Sequence, residues 1–203
     1  MANKKASSSS GNGAAVWLVI LGVSALAFVW VVISPAYLMK SLTVEREFSV
    51  SLGGRAADQW IYGKMIEVSY QQVKDIPASI KQTSTMPDMM RKWAQERIIA
   101  TWLWASLVIY RANMMLLYFF ILIPFLAAIS LDGIWAKEIT TYSFSSQSPR
   151  RHRFGVLLSS WTMMATFVWL VLPAPIPSAV APLAIVLIGF ASWMWLANLQ
   201  KRI

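Results

Sequence analysis

Four apolar stretches divide the chain, and polar segments separate them. The stretches cover residues 14–33, 98–129, 154–172 and 178–197. The first contains 20 residues and no charge. At about 1.5 Å per residue, a helix of that length extends about 30 Å, which is the thickness of the hydrocarbon core of a bilayer. The pattern therefore predicts an all-α membrane protein with four transmembrane helices.

The same pattern predicts the boundaries of the segments between the spans. They are a polar leader at 1–13, a first transmembrane helix at 14–38, an amphipathic helical segment at 39–97, a second transmembrane helix at 98–130, a basic loop at 131–153, a third transmembrane helix at 154–172, a Pro-rich turn at 173–177, a fourth transmembrane helix at 178–197 and a basic tail at 198–203. The Pro-rich turn is too short for anything but a tight hairpin, so the last two spans are predicted to be antiparallel neighbours.

Lysine and arginine near the span ends predict the orientation of the helices. The leader, the loop at 131–153 and the tail carry basic residues and lie on one side of the membrane if there are four spans. The Pro-rich turn on the other side has no charge. Because basic residues favour the cytoplasmic side, both termini are predicted to be cytoplasmic and the segment at 39–97 to face outward.

The segment at 39–97 is amphipathic. Apolar residues recur at mixed three- and four-residue steps and predict a helix from about residue 55 to 74, preceded by a break at Gly53-Gly54; they are Trp60, Ile61, Met65, Val68 and Val73. The run Thr85-Met86-Pro87-Asp88 is typical of a helix start, and this helix is predicted to continue into the second span. The segment is read either as helices lying on the membrane surface or as a docking surface, with Trp60 and Met65 as candidate partner contacts.

Composition excludes several classes of protein. Hydrophobic residues make up 57% of the chain and charged residues only 13%, against roughly 25% charged in soluble domains. The chain has no cysteine and a single histidine, His152, which argues against disulfide scaffolds, thiolate metal sites and histidine-based triads. The net charge of +9 fits cytoplasmic loops rich in lysine and arginine.

Arg111 is the one charged residue inside a predicted span. A charge there costs roughly 3 kcal/mol on insertion scales, and no acidic residue lies within any other predicted span. Three interpretations follow: the side chain reaches the headgroups by snorkelling, it contacts an acidic residue of a partner protein, or it serves transport.

The basic cluster in the predicted loop is the second candidate contact. Arg150, Arg151, His152 and Arg153 follow one another directly before the third span. We expect them to contact anionic lipid headgroups, or alternatively an acidic protein surface. Direct nucleic-acid binding is not expected, because four residues are a small footprint and no recognition fold surrounds them.

Several short motifs in one order resemble a known family. From Arg97 to Ile203 the chain resembles the four-span inner-membrane proteins of integrative conjugative elements and conjugative plasmids that are classed as domain of unknown function 4400. The matching pieces are Glu96-Arg97, Arg111, Asp132-Gly133, Lys137 with Ile139, Tyr142-x-Phe144, Ser148-Pro149-Arg150-x-His152 and the end at 197–203. The resemblance implies a bacterial inner-membrane location, a place in DNA transfer through a type IV secretion apparatus, and association with the coupling ATPase.

The sequence thus predicts a non-enzymatic accessory or scaffold subunit with no cofactor and no metal. Its expected partners are the coupling ATPase and anionic lipids, and self-association is compatible with this interpretation. The alternative is a small transporter or channel component, in which Arg111 would face a wet cavity lined by polar groups. A membrane enzyme is a further rival, because Asp132, Glu138, Ser148 and His152 share one loop.

Overall fold

The computed structural model describes residues 10–73, 87–143 and 149–198. They form five helices: α1 Ser10–Val32, α2 Pro35–Val73, α3 Asp88–Tyr142, α4 Pro149–Val171 and α5 Val180–Ala197. No strand occurs in these ranges, which confirms the all-α prediction. Helices α3, α4 and α5 are each long and apolar enough to cross a membrane. A fourth candidate span would combine Val19–Val32 of α1 with Pro35–Ser69 of α2, a pair bent by 104°.

Some sequence predictions fall on residues outside these ranges. They are most of the leader, the linker and the Thr85 cap before α3, the Ser148 side of the turn before α4, and the basic tail beyond Asn198.

The first apolar stretch does not form one helix over residues 14–38, and that prediction is wrong. Helix α1 ends at Val32, and α2 begins at Pro35. A proline disfavours the helical conformation of the residue before it, here Ser34, but suits the first position of a new helix. The Ser34 hydroxyl caps α2 by accepting a 3.2 Å hydrogen bond from the backbone N–H of Tyr37.

Helix α2 folds back on itself at Gly54. The Arg46 guanidinium lies 2.8 Å from the Asp58 carboxylate, although a straight helix would place residues twelve apart about 18 Å from each other. Gly54 has φ 80° and ψ 171°, a combination open essentially only to glycine. The predicted break at Gly53-Gly54 is therefore confirmed, and residues 35–53 and 55–73 form a helical hairpin, called the α2 hairpin below.

Replacing Gly54 with alanine is expected to destabilise the protein by about 1–3 kcal/mol, because an alanine would be strained at this φ and ψ. Gly63→Ala is the matched control, since Gly63 has an ordinary helical backbone and open space around its Cα. That control should be neutral or slightly stabilising. The comparison is made by thermal unfolding in mild detergent, and equal midpoints for the two variants would show that the turn does not depend on Gly54.

Helix α3 is the element to which the others attach. It begins at Asp88, directly after Pro87, and continues into the predicted second span, as the sequence predicted, but it runs without a break to Tyr142, beyond the predicted end of that span. It also takes up the first half of the predicted basic loop. Helix α4 then begins at Pro149, and α4 and α5 form the predicted hairpin across the Pro-rich turn. The α2 hairpin packs on the first half of α3, and α5 packs on its second half.

An apolar cluster lies between the α2 hairpin and α3. Ile61 and Met65 from α2 pack with Leu107, Tyr110 and Met114 from α3, and all five are buried. Ile61 and Met65 belong to the face that the stepped pattern marked, so that face lies against α3. The hairpin is thus held to the membrane helices by the same residues that made it amphipathic.

The contact between α4 and α5 is very close. A Cβ atom at Gly155 in α4 would lie 3.0 Å from both the carbonyl oxygen of Ala191 and the backbone nitrogen of Trp195 in α5. Glycine at this position therefore lets two backbones approach, as small residues commonly do between membrane helices.

Candidate functional site

Arg111 lies at a junction of three elements and has no exposed surface. Helix α3 carries it, the α2 hairpin covers it on one side, and the end of α4 covers it on another. Since α4 ends at Val171 and α5 starts at Val180, the residue lies level with the ends of both helices and not with their centres. The cation is therefore placed where two candidate spans terminate.

The counter-ion of Arg111 comes from the same chain. Arg111 Nε donates to both carboxylate oxygens of Glu45, at 3.2 and 3.0 Å, and Nη2 donates to one of them as well. Glu45 is itself 1% exposed. The expectation that the chain offers no counter-ion is wrong, because Glu45 belongs to the segment that composition placed outside the spans.

Arg111 also supplies hydrogen-bond donors to the carbonyl groups at the end of α4. The last carbonyl groups of a helix have no partner within it, and they form the negative end of the helix dipole. The Arg111 guanidinium donates to four carbonyl oxygens around this end: those of Trp169 and Leu170 (3.3 Å) in the last turn of α4, and those of Leu172 and Ala174 (2.6 Å each) just after it. The charge is thus offset by Glu45 and by backbone dipoles together.

The remaining groups at this end are paired too. Trp104 Nε1 donates to the carbonyl oxygen of Val171 at 2.7 Å. The three prolines of the turn cannot supply N–H groups, so side chains from α3 take that role. Side chains of α3 therefore complete the hydrogen bonding of α4, which fixes the α4–α5 hairpin at one height along α3.

Glu45 joins the α2 hairpin to the Pro-rich turn. Its carboxylate accepts from the backbone N–H of Ile176 at 3.3 Å, and its carbonyl oxygen accepts from the Ser178 hydroxyl at 3.1 Å. Glu45 belongs to a polar face of α2 in which Ser41, Glu45 and Ser49 recur every four residues and are each 1% exposed. This spacing is the sequence signal that could have found Glu45.

A second ion pair lies beside the first, with its carboxylate buried and its arginine partly exposed. Asp58, 3% exposed, accepts from Arg46 at 2.8 Å and from the hydroxyl of Tyr110 at 2.8 Å. The Arg46 guanidinium also lies 3.8 Å from the centre of the Tyr62 ring. Tyr110 precedes Arg111, so consecutive residues of α3 bind the two halves of the α2 hairpin.

The structure separates the two predicted partner contacts on the α2 hairpin. Trp60 is 42% exposed and stays a candidate contact, whereas Met65 is 5% exposed and belongs to the core against α3. Met65 and the fully buried Arg111 thus offer no surface to a partner in this structure. Met65 lies four residues after Ile61, and this spacing of apolar residues predicts a buried helix face. The spacing therefore argues for Met65 as a core residue and against Met65 as a partner contact.

The basic cluster lies on the first turns of α4. Arg150, Arg151 and Arg153 are exposed, and His152 is half-buried with Nδ1 unpaired among the described residues. Within the described ranges none of the three arginines forms an ion pair. Exposed Phe154 follows them, so charge and apolar surface adjoin as they do at a membrane interface.

Of the residues in the rival enzyme interpretation, Asp132 and Glu138 lie on α3 and His152 lies on α4. Asp132 accepts a 2.7 Å hydrogen bond from Trp193 Nε1, and Ser148 lies outside the described ranges. In the part of the chain that the structure covers, no three His, Asp or Glu side chains are grouped closely enough to hold a metal ion. The geometry of the described site is that of a structural junction.

Comparison with known proteins adds one finding. Residues 53–200 match the family described as IncC plasmid conjugative DNA transfer protein DtrJ-like. The match covers the second half of α2, all of α3 to α5, and the residues up to 200 that carried the resemblance to conjugative membrane proteins. No curated protein and no solved structure matches the chain.

Proposed function

Because the chain belongs to the DtrJ-like family of conjugative DNA transfer proteins, we propose that it is a non-enzymatic scaffold subunit of the transfer apparatus. It would lie in the inner membrane and bind the transmembrane part of the coupling ATPase that recruits the DNA. The family match carries this proposal, and the resemblance to proteins of integrative conjugative elements and type IV secretion agrees with it.

The buried charges support a scaffold over a transporter. A transporter would use Arg111 in a wet cavity, whereas Arg111 is 0% exposed and bonded to Glu45 and four carbonyl groups. A cation held in this way fixes three elements relative to one another. Rigid elements are what a subunit needs to present a surface of defined shape to its partner.

The outer face of the α2 hairpin supplies that surface in this proposal. Trp60, Ile66 and Val68 in its second half are each more than 40% exposed, although the opposite face of the same helix is buried against α3. Tryptophan is enriched among residues that dominate binding energy. We place the coupling ATPase against this face, with Trp60 as the principal contact.

The basic residues set the orientation in the same proposal. Arg150, Arg151 and Arg153 would lie on the cytoplasmic side with both termini, and would contact anionic lipids or the cytoplasmic side of the ATPase. The Pro-rich turn and the α2 hairpin would then be periplasmic. DNA itself would be handled by the partner.

The proposal predicts that the tagged protein recovers the coupling ATPase from cells that carry the whole transfer region, after solubilisation in mild detergent. Trp60→Ala should lower that recovery about tenfold or more, since loss of a dominant aromatic contact costs about 2 kcal/mol or more. Trp161→Ala is the control, because Trp161 is an exposed tryptophan on α4.

The possible outcomes test the scaffold role and the choice of Trp60 as the contact separately. Failure to recover any transfer component with the unmodified protein would contradict the scaffold role. Equal loss with Trp60→Ala and Trp161→Ala would leave the role intact and reject Trp60 as the contact.

A further inference from the structure

Arg97 is a second buried arginine on α3, and it also donates hydrogen bonds to the carbonyl end of a helix. It is 7% exposed, and its Nη1 donates to the carbonyl oxygens of Trp30 and Val31 at 2.7 and 2.9 Å. These carbonyl groups belong to the last turn of α1. Arg97 therefore stands at the negative end of the α1 dipole, as Arg111 stands at the end of α4.

The two arginines differ in their counter-ions. Arg111 has Glu45, whereas no acidic residue of the described ranges lies within ion-pair distance of Arg97. The Nε of Arg97 is buried and has no hydrogen-bond partner in those ranges. A guanidinium has five N–H donors, and a buried donor without a partner is costly. Arg97 thus carries a buried donor that no acceptor of the described residues satisfies.

An apolar cleft opens beside the same turn of α1. It has a volume of about 390 Å³ and occupies the bend between α1 and α2, where its lining is Phe28, Val29, Val32, Ile33, Ser34 and Tyr37. Ile33 packs with Ala100, which lies one turn after Arg97 on α3. Arg97 binds the carbonyl oxygens of Trp30 and Val31, which lie in the chain between the cleft-lining residues Val29 and Val32, so the cleft adjoins the turn of α1 that Arg97 caps.

Aromatic residues surround this site in the arrangement of a membrane interface. Trp30 and Trp93 meet edge to face at 6.4 Å, and Trp30 Nε1 donates to the Thr101 hydroxyl at 2.8 Å. Trp93 and Tyr37 are about half exposed. Amphipathic rings of this kind concentrate at the level of lipid headgroups.

We infer that the bend between α1 and α2 binds one anionic phospholipid, with its phosphate on Arg97 and an acyl chain in the apolar cleft. The chemistry of the site requires both parts: an anion for the guanidinium and a chain for the cleft. A carboxylate from a partner protein would satisfy only the first. A bound lipid would also attach α1 to α3 where α1 has few other contacts.

The test measures lipid binding to the purified full chain in neutral detergent by native mass spectrometry. The probes are phosphatidylglycerol, phosphatidylcholine and inorganic phosphate. We expect phosphatidylglycerol to bind in preference to phosphatidylcholine, and Arg97→Gln to lower that preference about tenfold, because a hydrogen bond to a charged group contributes about 1.5–3 kcal/mol. Inorganic phosphate should bind far more weakly, since it lacks the chain.

Two control variants keep the test decisive. Arg91→Gln removes one positive charge from the same helix, but Arg91 is exposed and paired with Asp88, so the lipid preference should not change. Arg97→Lys keeps the charge and should retain most of the preference if Arg97→Gln does not fold. An unchanged preference in Arg97→Gln, or an equal loss in Arg91→Gln, would overturn the proposal. Tight binding of inorganic phosphate would overturn the lipid assignment.

Discussion

Replacing Arg111 with methionine is expected to lower the free energy of unfolding by about 3–5 kcal/mol, the range measured when one partner of a buried ion pair is removed. The variant would leave the Glu45 carboxylate buried without its cation and would strip a donor from four carbonyl groups. For a chain of this size the thermal midpoint in mild detergent should fall by about 6–20 °C. Arg153→Met, at an exposed position of α4, should change it little.

A double-mutant cycle tests whether the pair itself causes the loss. Glu45→Gln alone should cost less than Arg111→Met, because the guanidinium keeps its bonds to the end of α4. Combined with Arg111→Met, Glu45→Gln should recover part of the stability, since it removes the unpaired buried charge. Residues in contact show coupling of about 0.5–3 kcal/mol. Strictly additive losses would mean that the two side chains do not form a pair.

The second large effect is expected at Gly155. Gly155→Leu would force α4 away from α5, because even a Cβ at this position would meet backbone atoms of Ala191 and Trp195 at 3.0 Å. Overpacking of this kind costs about 1–3 kcal/mol and more where a backbone must move. Membrane helices gain little from apolar burial against each other, so the interface depends on close approach. The thermal midpoint of the variant in mild detergent should fall accordingly.

Gly22→Leu provides the matched control for Gly155→Leu. Gly22 also lies in an apolar helix, but nothing stands within 4 Å of the Cβ that a side chain would add. We expect this variant to unfold at the temperature of the unmodified protein or slightly above it. Equal losses for Gly22→Leu and Gly155→Leu would contradict the observed packing of α4 on α5.

Local sequence rules account for most of the fold. Apolar stretches of membrane length became α1, α3, α4 and α5, and glycine marked the turn within α2. The helix starting at Asp88 followed from the proline and acidic residue at its start. These features depend on residues close together in the chain. The end of α1 at Val32 was missed although Ser34 and Pro35 form a good helix start, because hydrophobicity continues through the bend.

The site depends on contacts that local rules do not contain. Glu45 and Arg111 are 66 residues apart, and Arg111 reaches carbonyl groups about 60 residues further along the chain. The polar composition of residues 39–97 predicts that Glu45 lies outside the membrane. Local rules therefore do not pair Glu45 with an arginine inside a span. An arginine inside a span requires an anion. The four-residue spacing of Ser41, Glu45 and Ser49 marks the buried polar face that contains this anion.

Site-specific photo-crosslinking tests the proposed scaffold role most directly. A photoreactive amino acid is placed at Trp60 or at Met65 in cells that carry the transfer region. The two positions lie on the same helix, but Trp60 is 42% exposed and Met65 is 5% exposed. We expect a crosslink from position 60 to the coupling ATPase, and from position 65 only crosslinks within the chain. A crosslink to the ATPase from position 65 but not from position 60, or from neither position, would contradict the proposed scaffold role with Trp60 as the contact.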